Sequence, residues 1–328
     1  MSAPIKPPKE NQAISVVIPV YNSETTLSEL VSRLKKILES HSAFEIILVN
    51  DGSQDNSWDA IRRLASESHF VRGIDLGKNY GQHNALLAGI RAAQHSLIVT
   101  LDDDLQNPPE EIPKLLGALR ANIDVVYGAR KKEQHGISRN LASRAVKLSL
   151  AYFMGAKTAS RSSAFRLFRK ELREGFKDYQ CDFISIDVLL SWTTSRFAFV
   201  EVRHDERKEG RSNYNPWRLY RHALNMITGY TTLPLQIATG LGLALTLVGV
   251  LILVFVLYNF FAVGNRVPGF AFLASMISVF SGATLFSIGI MGEYLARMYS
   301  RLLHRPTYTI RGSTENSGSL DEPIRLAS

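Results

Sequence analysis

Leu97–Pro109 reads LIVTLDDDLQNPP, an apolar strand that runs straight into three aspartates, a glutamine and a proline-stiffened turn. Adjacent carboxylates repel and raise one another's pKa unless a cation lies among them. A hard divalent ion takes oxygen ligands of this kind, from Asp and from the amide of Gln106. A solvated acidic loop is the alternative, and the strand leading directly into the aspartates favours a site.

Working outward, the same grammar recurs upstream. Apolar runs at Ile14–Val20, Phe44–Asn50, Val71–Leu76 and Ile123–Tyr127 alternate with helical patterns such as Thr26–Leu38, where Leu27, Leu30, Leu34 and Leu38 repeat at helical spacing. Strand and helix in alternation predict an α/β domain with a largely parallel sheet and helices on both faces. Two more runs end in polar turns, Pro19-Val20-Tyr21-Asn22 and Asn50-Asp51-Gly52-Ser53. Ligands of such sheets gather at the carboxyl ends of the strands, where all these turns fall. A pocket there can stack a base on Tyr21 and hydrogen-bond it through Asn22 and Asp51, while a cation neutralises a diphosphate. Asn22 and Asp51 also suit helix caps.

Downstream the pattern changes. Arg139–Met154 and Pro216–Thr231 read as basic amphipathic helices suited to a headgroup interface or to packing on a soluble core. Between Arg221 and Glu293 the one formal charge is Arg266. Within that gap Leu233–Phe261 and Val267–Gly292 each exceed the roughly 20 apolar residues that cross hydrocarbon, and the short link between them predicts a helical hairpin. Arg and Lys flank its outer ends, at Arg207–Arg221 and Arg297–Arg305, which places both termini in the cytoplasm. The expected layout is a flexible 1–13, a catalytic domain 14–215, an interfacial helix 216–232, two spans within 233–292, a juxtamembrane 293–311 and a disordered tail 312–328. The net charge of +8 suits an anionic membrane or phosphorylated substrates, and the apolar gap favours these over nucleic acid. Cys181, the single cysteine, excludes an internal disulfide. The polar, Pro/Lys-rich first dozen residues read as no cleavable signal peptide, which leaves the first domain in the cytosol.

Taken together, SVVIPVYN (15–22), ILVNDGS (47–53) and LDDDLQNPPEE (101–111) resemble family 2 glycosyltransferases of the GT-A fold. NYGQHNALLAGI (79–90), YGAR (127–130), FRLFRK (165–170), RKEGRSNY (207–214) and MGEYLARMY (291–299) are similar to polyprenyl-phosphate glycosyltransferases, over about residues 14–310. That group includes dolichol-phosphate mannose synthases and bacterial undecaprenyl-phosphate glucosyl and aminoarabinosyl transferases, and the hairpin matches the bacterial members.

The resemblance implies a UDP-sugar donor, undecaprenyl phosphate as acceptor, Mg²⁺ or Mn²⁺, inversion at the anomeric carbon, a plasma-membrane location and a homo-oligomer, tetrameric in relatives. It assigns Pro19, Tyr21, Asn22 and Asp51 to the nucleoside, Asp102, Asp103 and Asp104 to the donor and metal, and Asp104 with Gln106 to direct metal ligation. Arg130, Arg139 and Ser143 fall to the acceptor phosphate, and Arg207 to a loop over the donor diphosphate. Three positions depart from the pattern: Ser23 where many relatives have Glu, Asn213 where the loop often has Lys, and Ala164 where bacterial relatives have Asp or Ser. Glucose is the first expectation for the sugar, an amino sugar or mannose the next. A processive polysaccharide synthase is a further alternative, but its Gln-x-x-Arg-Trp element is absent. A non-catalytic membrane scaffold would have no use for the aspartate cluster.

Overall fold

A computed structural model describes residues 13–130, 163–180, 184–205, 232–258, 261, 269–303 and 305–314. The chain divides into two compact units. The first is built on an eight-stranded sheet: β1 (Ile14–Val20), β2 (Phe44–Asn50), β3 (Val71–Leu76), β4 (Leu97–Thr100), β5 (Val125–Arg130), β6 (Arg166–Arg169), β7 (Phe197–Val202) and β8 (Ile310–Ser313). Their order across the sheet is β7-β5-β6-β4-β1-β2-β3-β8.

β1 sits at the centre because both its faces are apolar. Every one of its residues is buried, as a strand covered on two sides requires. Val16 and Ile18 join Ile46 and Leu48 of β2 in one core cluster, under helices α1 (Glu24–Leu38) and α2 (Ser57–Glu67). α1 offers Leu27, Leu30, Val31, Leu34 and Leu38, one stripe at 3.6-residue spacing. On the opposite face α3 (Gln82–Ala92) lies directly on β1 and β2, where a Cβ at Gly89 would collide with Val17. The unit is completed by α4 (Ile112–Ala118) and α5 (Ile186–Thr193).

β2 and β4 flank β1 on opposite sides, both parallel to it. The chain therefore leaves β1 in one direction through β2 and β3, then returns to the other side with β4. Such a reversal opens a crevice at the carboxyl ends of β1 and β4, where Tyr21 and Asp102–Asp104 emerge.

The sheet is mixed rather than largely parallel. β6 runs against both β4 and β5, and β8 runs against β3. The end of the chain also differs from expectation: composition predicts a structureless run from Gly312, yet Gly312 and Ser313 belong to β8. Thr314 Oγ1 then accepts a hydrogen bond from Gly73 N at 2.9 Å. The reason is the open edge of β3, whose unpaired backbone groups take a strand.

In the second unit, the described residues form two helices, α6 (Leu233–Tyr258) and α7 (Phe270–Leu302). They pack together at Gly249, where a Cβ would stand 3.2 Å from the Phe280 ring. Pro234–Tyr258 and Val279–Tyr299 are long and apolar enough to cross a membrane, and in the most apolar stretch of each no residue is buried within the protein. Leu243 and Leu285 are 68% and 69% exposed, a surface that suits lipid rather than water. The pair fits a transmembrane hairpin, and the chain is membrane-associated. The basic amphipathic segments Arg139–Met154 and Pro216–Thr231 lie outside the described residues.

Candidate active site

Four segments at the carboxyl edge converge on one cavity of about 490 Å³. It is lined by Pro19 and Val20 at the end of β1 and Tyr21 after it, Asp51 after β2, Asn79, Gly81 and Gln82 before and within α3, and Asp102, Asp103 and Asp104 after β4. Tyr21 is 44% exposed, leaving its ring face open for stacking.

Backbone geometry fixes the turns. Tyr21 N donates to Asp103 Oδ2 at 3.2 Å, and Thr26 Oγ1 donates to the Asp103 carbonyl at 2.8 Å, locking the aspartate turn to the start of α1. Asn22 takes a φ of 54°, which sets its amide oxygen to accept Gln54 N at 2.8 Å, while its own N–H donates to Ser53 Oγ. Asn22 thus joins the first turn to the second and does not cap α1. Asp51 caps no helix of its own turn either. Its two oxygens accept Tyr80 N at 2.7 Å and Gly81 N at 2.9 Å.

Gly52 is required here. Its φ is +65°, and a Cβ would meet the backbone of Lys78 and Asn79 at 2.5 Å, so the loop before α3 lies flat against the turn.

Burial pushes the Asp51 carboxyl above the usual range, against the two N–H donors. Burial does the same at Asp103, opposed by Ser23 and Tyr21 and helped by the charge of Asp104. Gln82 Nε2 donates to Asp102 Oδ1 at 2.5 Å.

Among the described residues, no three His, Cys, Asp or Glu side chains form a metal-holding group by themselves. Asp104 and Gln106 bring to this turn a carboxylate and an amide oxygen, the donor types of a cation that takes one or two carboxylates and completes its shell with substrate phosphate and water. Leu105 between them has a φ of 60°, an uncommon conformation for a branched residue, and this brings Gln106 N to 3.1 Å from Asp104 Oδ1.

The structure therefore gathers Pro19, Tyr21, Asp51, Asp102, Asp103 and Asp104 around one cavity. Asn22, bonded to Ser53 and Gln54, and Gln106, whose N–H donates to Asp104, belong to the turns that carry these residues but are not among its lining residues. Arg130 ends β5, paired in register with Val202 of β7. Its side chain, and all of Arg139, Ser143 and Arg207, lie outside the described residues. Ala164 sits beside the end of β4, its carbonyl accepting Thr100 Oγ1 at 2.7 Å.

Sequence reasoning did not place Asn79, Gly81 and Gln82 in the site, although a Gly-Gln pair opening a helix after a strand was the available signal. Nor did it foresee the buried group behind Ala164. Arg166, 1% exposed, pairs with Asp187 at 2.6 Å, and Asp187 also accepts the Tyr127 hydroxyl at 2.8 Å. Burial, reinforced by the Asp187 charge, pushes the Tyr127 phenol up, so it stays a neutral donor. His83 Nδ1 accepts Ile186 N at 3.4 Å, a capping and packing role.

A model of glycosyl transferase family 2 matches residues 15–176. The mixed α/β sheet, with its acidic crevice at the reversal point, is a GT-A fold, and the protein is a glycosyltransferase. Its relatives extend the match over nearly the whole chain. The undecaprenyl-phosphate 4-deoxy-4-formamido-L-arabinose transferase of Pseudomonas syringae pv. syringae is 36% identical over 309 residues, covering 93% of this chain and 91% of that protein. The enzyme of the same name from Shewanella sediminis is 34% identical over 311 residues, covering 92% and 94%. The chain accordingly belongs to the polyprenyl-phosphate glycosyltransferases of family 2. Among solved structures, glucosyl-3-phosphoglycerate synthase from Mycobacterium tuberculosis, in complex with Mn²⁺, uridine diphosphate and glucosyl-3-phosphoglycerate, aligns with a TM-score of 0.49 and 18% identity, over 68% of this chain and 81% of that one.

Proposed function

We propose that the protein transfers a 4-amino-4-deoxypentose derivative, of the 4-formamido-L-arabinose type, from UDP to undecaprenyl phosphate, with inversion. The observation that carries the reading is the joining, in one chain, of the aspartate-lined cavity to two helices of membrane length. The amino sugar displaces glucose as the first choice because the full-length curated relatives carry formamido-arabinose in their names.

In this reading Tyr21 stacks on the uracil, and Asp51 and Asn22 frame the nucleoside beside Pro19. Asp102 and Asp103 hold the donor, with Asp104 and Gln106 facing the metal. A bound Mg²⁺ or Mn²⁺ would neutralise charge on the departing diphosphate. Arg207 closes over that diphosphate, while Arg130, Arg139 and Ser143 seat the acceptor phosphate. A phosphate oxygen attacks the anomeric carbon in line, the bond from that carbon to the diphosphate breaks, and UDP leaves. A phosphate monoester has a second pKa of about 6 and is already largely dianionic at neutral pH. No general base is then required, and Ala164 is compatible with turnover. The catalytic unit and both termini face the cytoplasm, where UDP-sugars are made, and the chains associate as a homo-oligomer.

The test is a donor panel with the full chain in nanodiscs containing undecaprenyl phosphate: the UDP-linked formamido sugar, UDP-glucose and GDP-mannose. The expected result is lipid-dependent UDP release that is greatest with the formamido sugar. Preference for UDP-glucose would overturn the sugar assignment, and release indifferent to lipid phosphate would overturn the acceptor.

A further inference from the structure

Asp75, at the end of β3, is 3% exposed and uses both carboxylate oxygens. Oδ1 accepts Asn50 Nδ2 at 2.7 Å, and Oδ2 accepts Arg311 Nε at 2.7 Å. Asn50 is 1% exposed, and its amide oxygen accepts Ser53 N at 3.2 Å. The carboxylate can only accept, so it dictates which way the Asn50 amide faces. That orientation in turn leaves the amide oxygen for Ser53, across the turn that carries Asp51.

A second tie runs beside the first. Gly77 N donates to the Thr309 carbonyl at 2.8 Å, anchoring the loop whose Asn79, Gly81 and Gln82 line the cavity. Two walls of the cavity, the Asn50–Ser53 turn and the Gly77–Gln82 loop, are therefore both fastened to the strand that follows α7.

We infer that the C-terminal strand, acting through Arg311 and Asp75, positions the donor-nucleotide pocket. Arg311 and Asp75 are positioning residues, not catalytic ones, since neither lines the cavity. The inference rests on reading that cavity as the donor site. A merely architectural role for β8, covering the β3 edge, is the competing account. Arg311 separates the two. Its side chain is 62% exposed and covers little of the β3 edge itself, while the Asp75 carboxylate that it holds is buried. If it matters, it matters through what it orients.

The experiment uses the full-length protein in nanodiscs and the variants Arg311→Ala, Arg311→Lys and Asp75→Asn. Amide hydrogen exchange is read at residues 50–54 and 77–82, and UDP affinity with Mn²⁺ is measured alongside Tm. Arg311→Ala should speed exchange in both segments by about fivefold or more and weaken UDP by a similar factor, as expected for losing one charge-assisted hydrogen bond. Exchange in β1 and the KM for lipid phosphate should stay put, Tm should fall by no more than about 2–4 °C, and Arg311→Lys should recover part of the loss. Unchanged exchange in Arg311→Ala would overturn the inference, as would faster exchange with UDP affinity intact. Asp75→Asn should go further in the same direction if it folds. Should the unmodified protein bind no UDP, the donor-site reading falls, while the exchange measurement still decides whether Arg311 orders the pocket walls.

Discussion

The buried carboxylates at the amino edge of the central sheet and those lining the cavity at its carboxyl edge are held in opposite ways. At the amino edge Glu45 is buried yet held below the usual range. Burial alone would raise it, but Ser15 Oγ at 2.6 Å, Gln94 N at 2.7 Å and Arg72 at 2.5 Å outweigh that cost. Asp124, just before β5, is likewise held down despite burial, by Thr194 and by Arg196 at 2.8 Å. At the carboxyl edge burial pushes Asp51 and Asp103 up, with neutral hydrogen-bond donors as the opposing influence. Arginine also completes carboxylates at this edge, Arg311 at Asp75 and Arg166 at Asp187. What sets Asp51 and Asp103 apart is that they line the cavity with burial raising them, as expected of carboxylates that a ligand completes in the proposed reading. Cavity size alone would mislead: the amino edge carries the larger one, about 790 Å³, against Glu45 and Arg72.

The contrast can be broken or sharpened by substitution. Asp104→Ala should reduce turnover most, by about 10²-fold or more, as for loss of a group facing transition-state charge, with Tm nearly unchanged. Chelation should abolish activity reversibly in the unmodified protein, and full turnover of Asp104→Ala in excess chelator would break the assignment. Arg139→Ala should raise the KM for lipid phosphate by about 30-fold, or about 2 kcal/mol, with UDP affinity intact. Loss of UDP binding with an unchanged lipid KM would move Arg139 to the donor side.

The edges should also separate by pH. Glu45 and Asp124 have depressed values, so their stabilisation is present above the ordinary carboxylate pKa and lost only as pH falls through their lower folded values. Asp51 has the opposite sign. Its protonation favours the folded state while removing an acceptor that holds the pocket, so UDP binding should fall at a higher pH than the one at which the protein unfolds. Binding and Tm followed against pH should show two separated transitions, and Asp51→Asn should remove the part of the binding transition that Asp51 supplies. The smallest effect is expected at position 164. Ala164→Asp should change kcat by less than about threefold, because base catalysis has little to supply to a dianion. A gain of about 100-fold with unchanged KM values would show that a base had been missing.

How much of this was legible in the sequence depended on how local each signal was. Ile14–Val20 and Phe44–Asn50 coincide with β1 and β2 because a strand buried on both faces must be largely apolar, and Val71–Leu76 coincides with β3 although it carries Arg72 and Asp75. The turns holding Tyr21, Asp51 and Asp102–Asp104 were legible for the same reason, being the polar ends of those runs. β6 was hidden, since Arg166 and Arg169 make it look exposed, and Arg166 is buried only because Asp187 meets it from another element. β8 was hidden more deeply. Its sequence, IRGS, has no strand pattern of its own and is held by an edge 236 residues away. Asn79, Gly81 and Gln82 entered the site through the close approach of their loop to Gly52, a contact that neither segment announces alone.

The central claim is that the carboxyl edge, and not the larger cavity at the amino edge, receives the donor. Calorimetric titration of UDP with Mn²⁺ into the full-length protein, Asp51→Asn and Glu45→Gln tests it most directly. The account predicts that Glu45→Gln loses about 2 kcal/mol of stability, from a broken buried pair, and still binds UDP like the parent. Asp51→Asn should keep or raise its Tm and lose most of its UDP affinity. Weakened UDP binding in a folded Glu45→Gln protein, with Asp51→Asn binding normally, would contradict it.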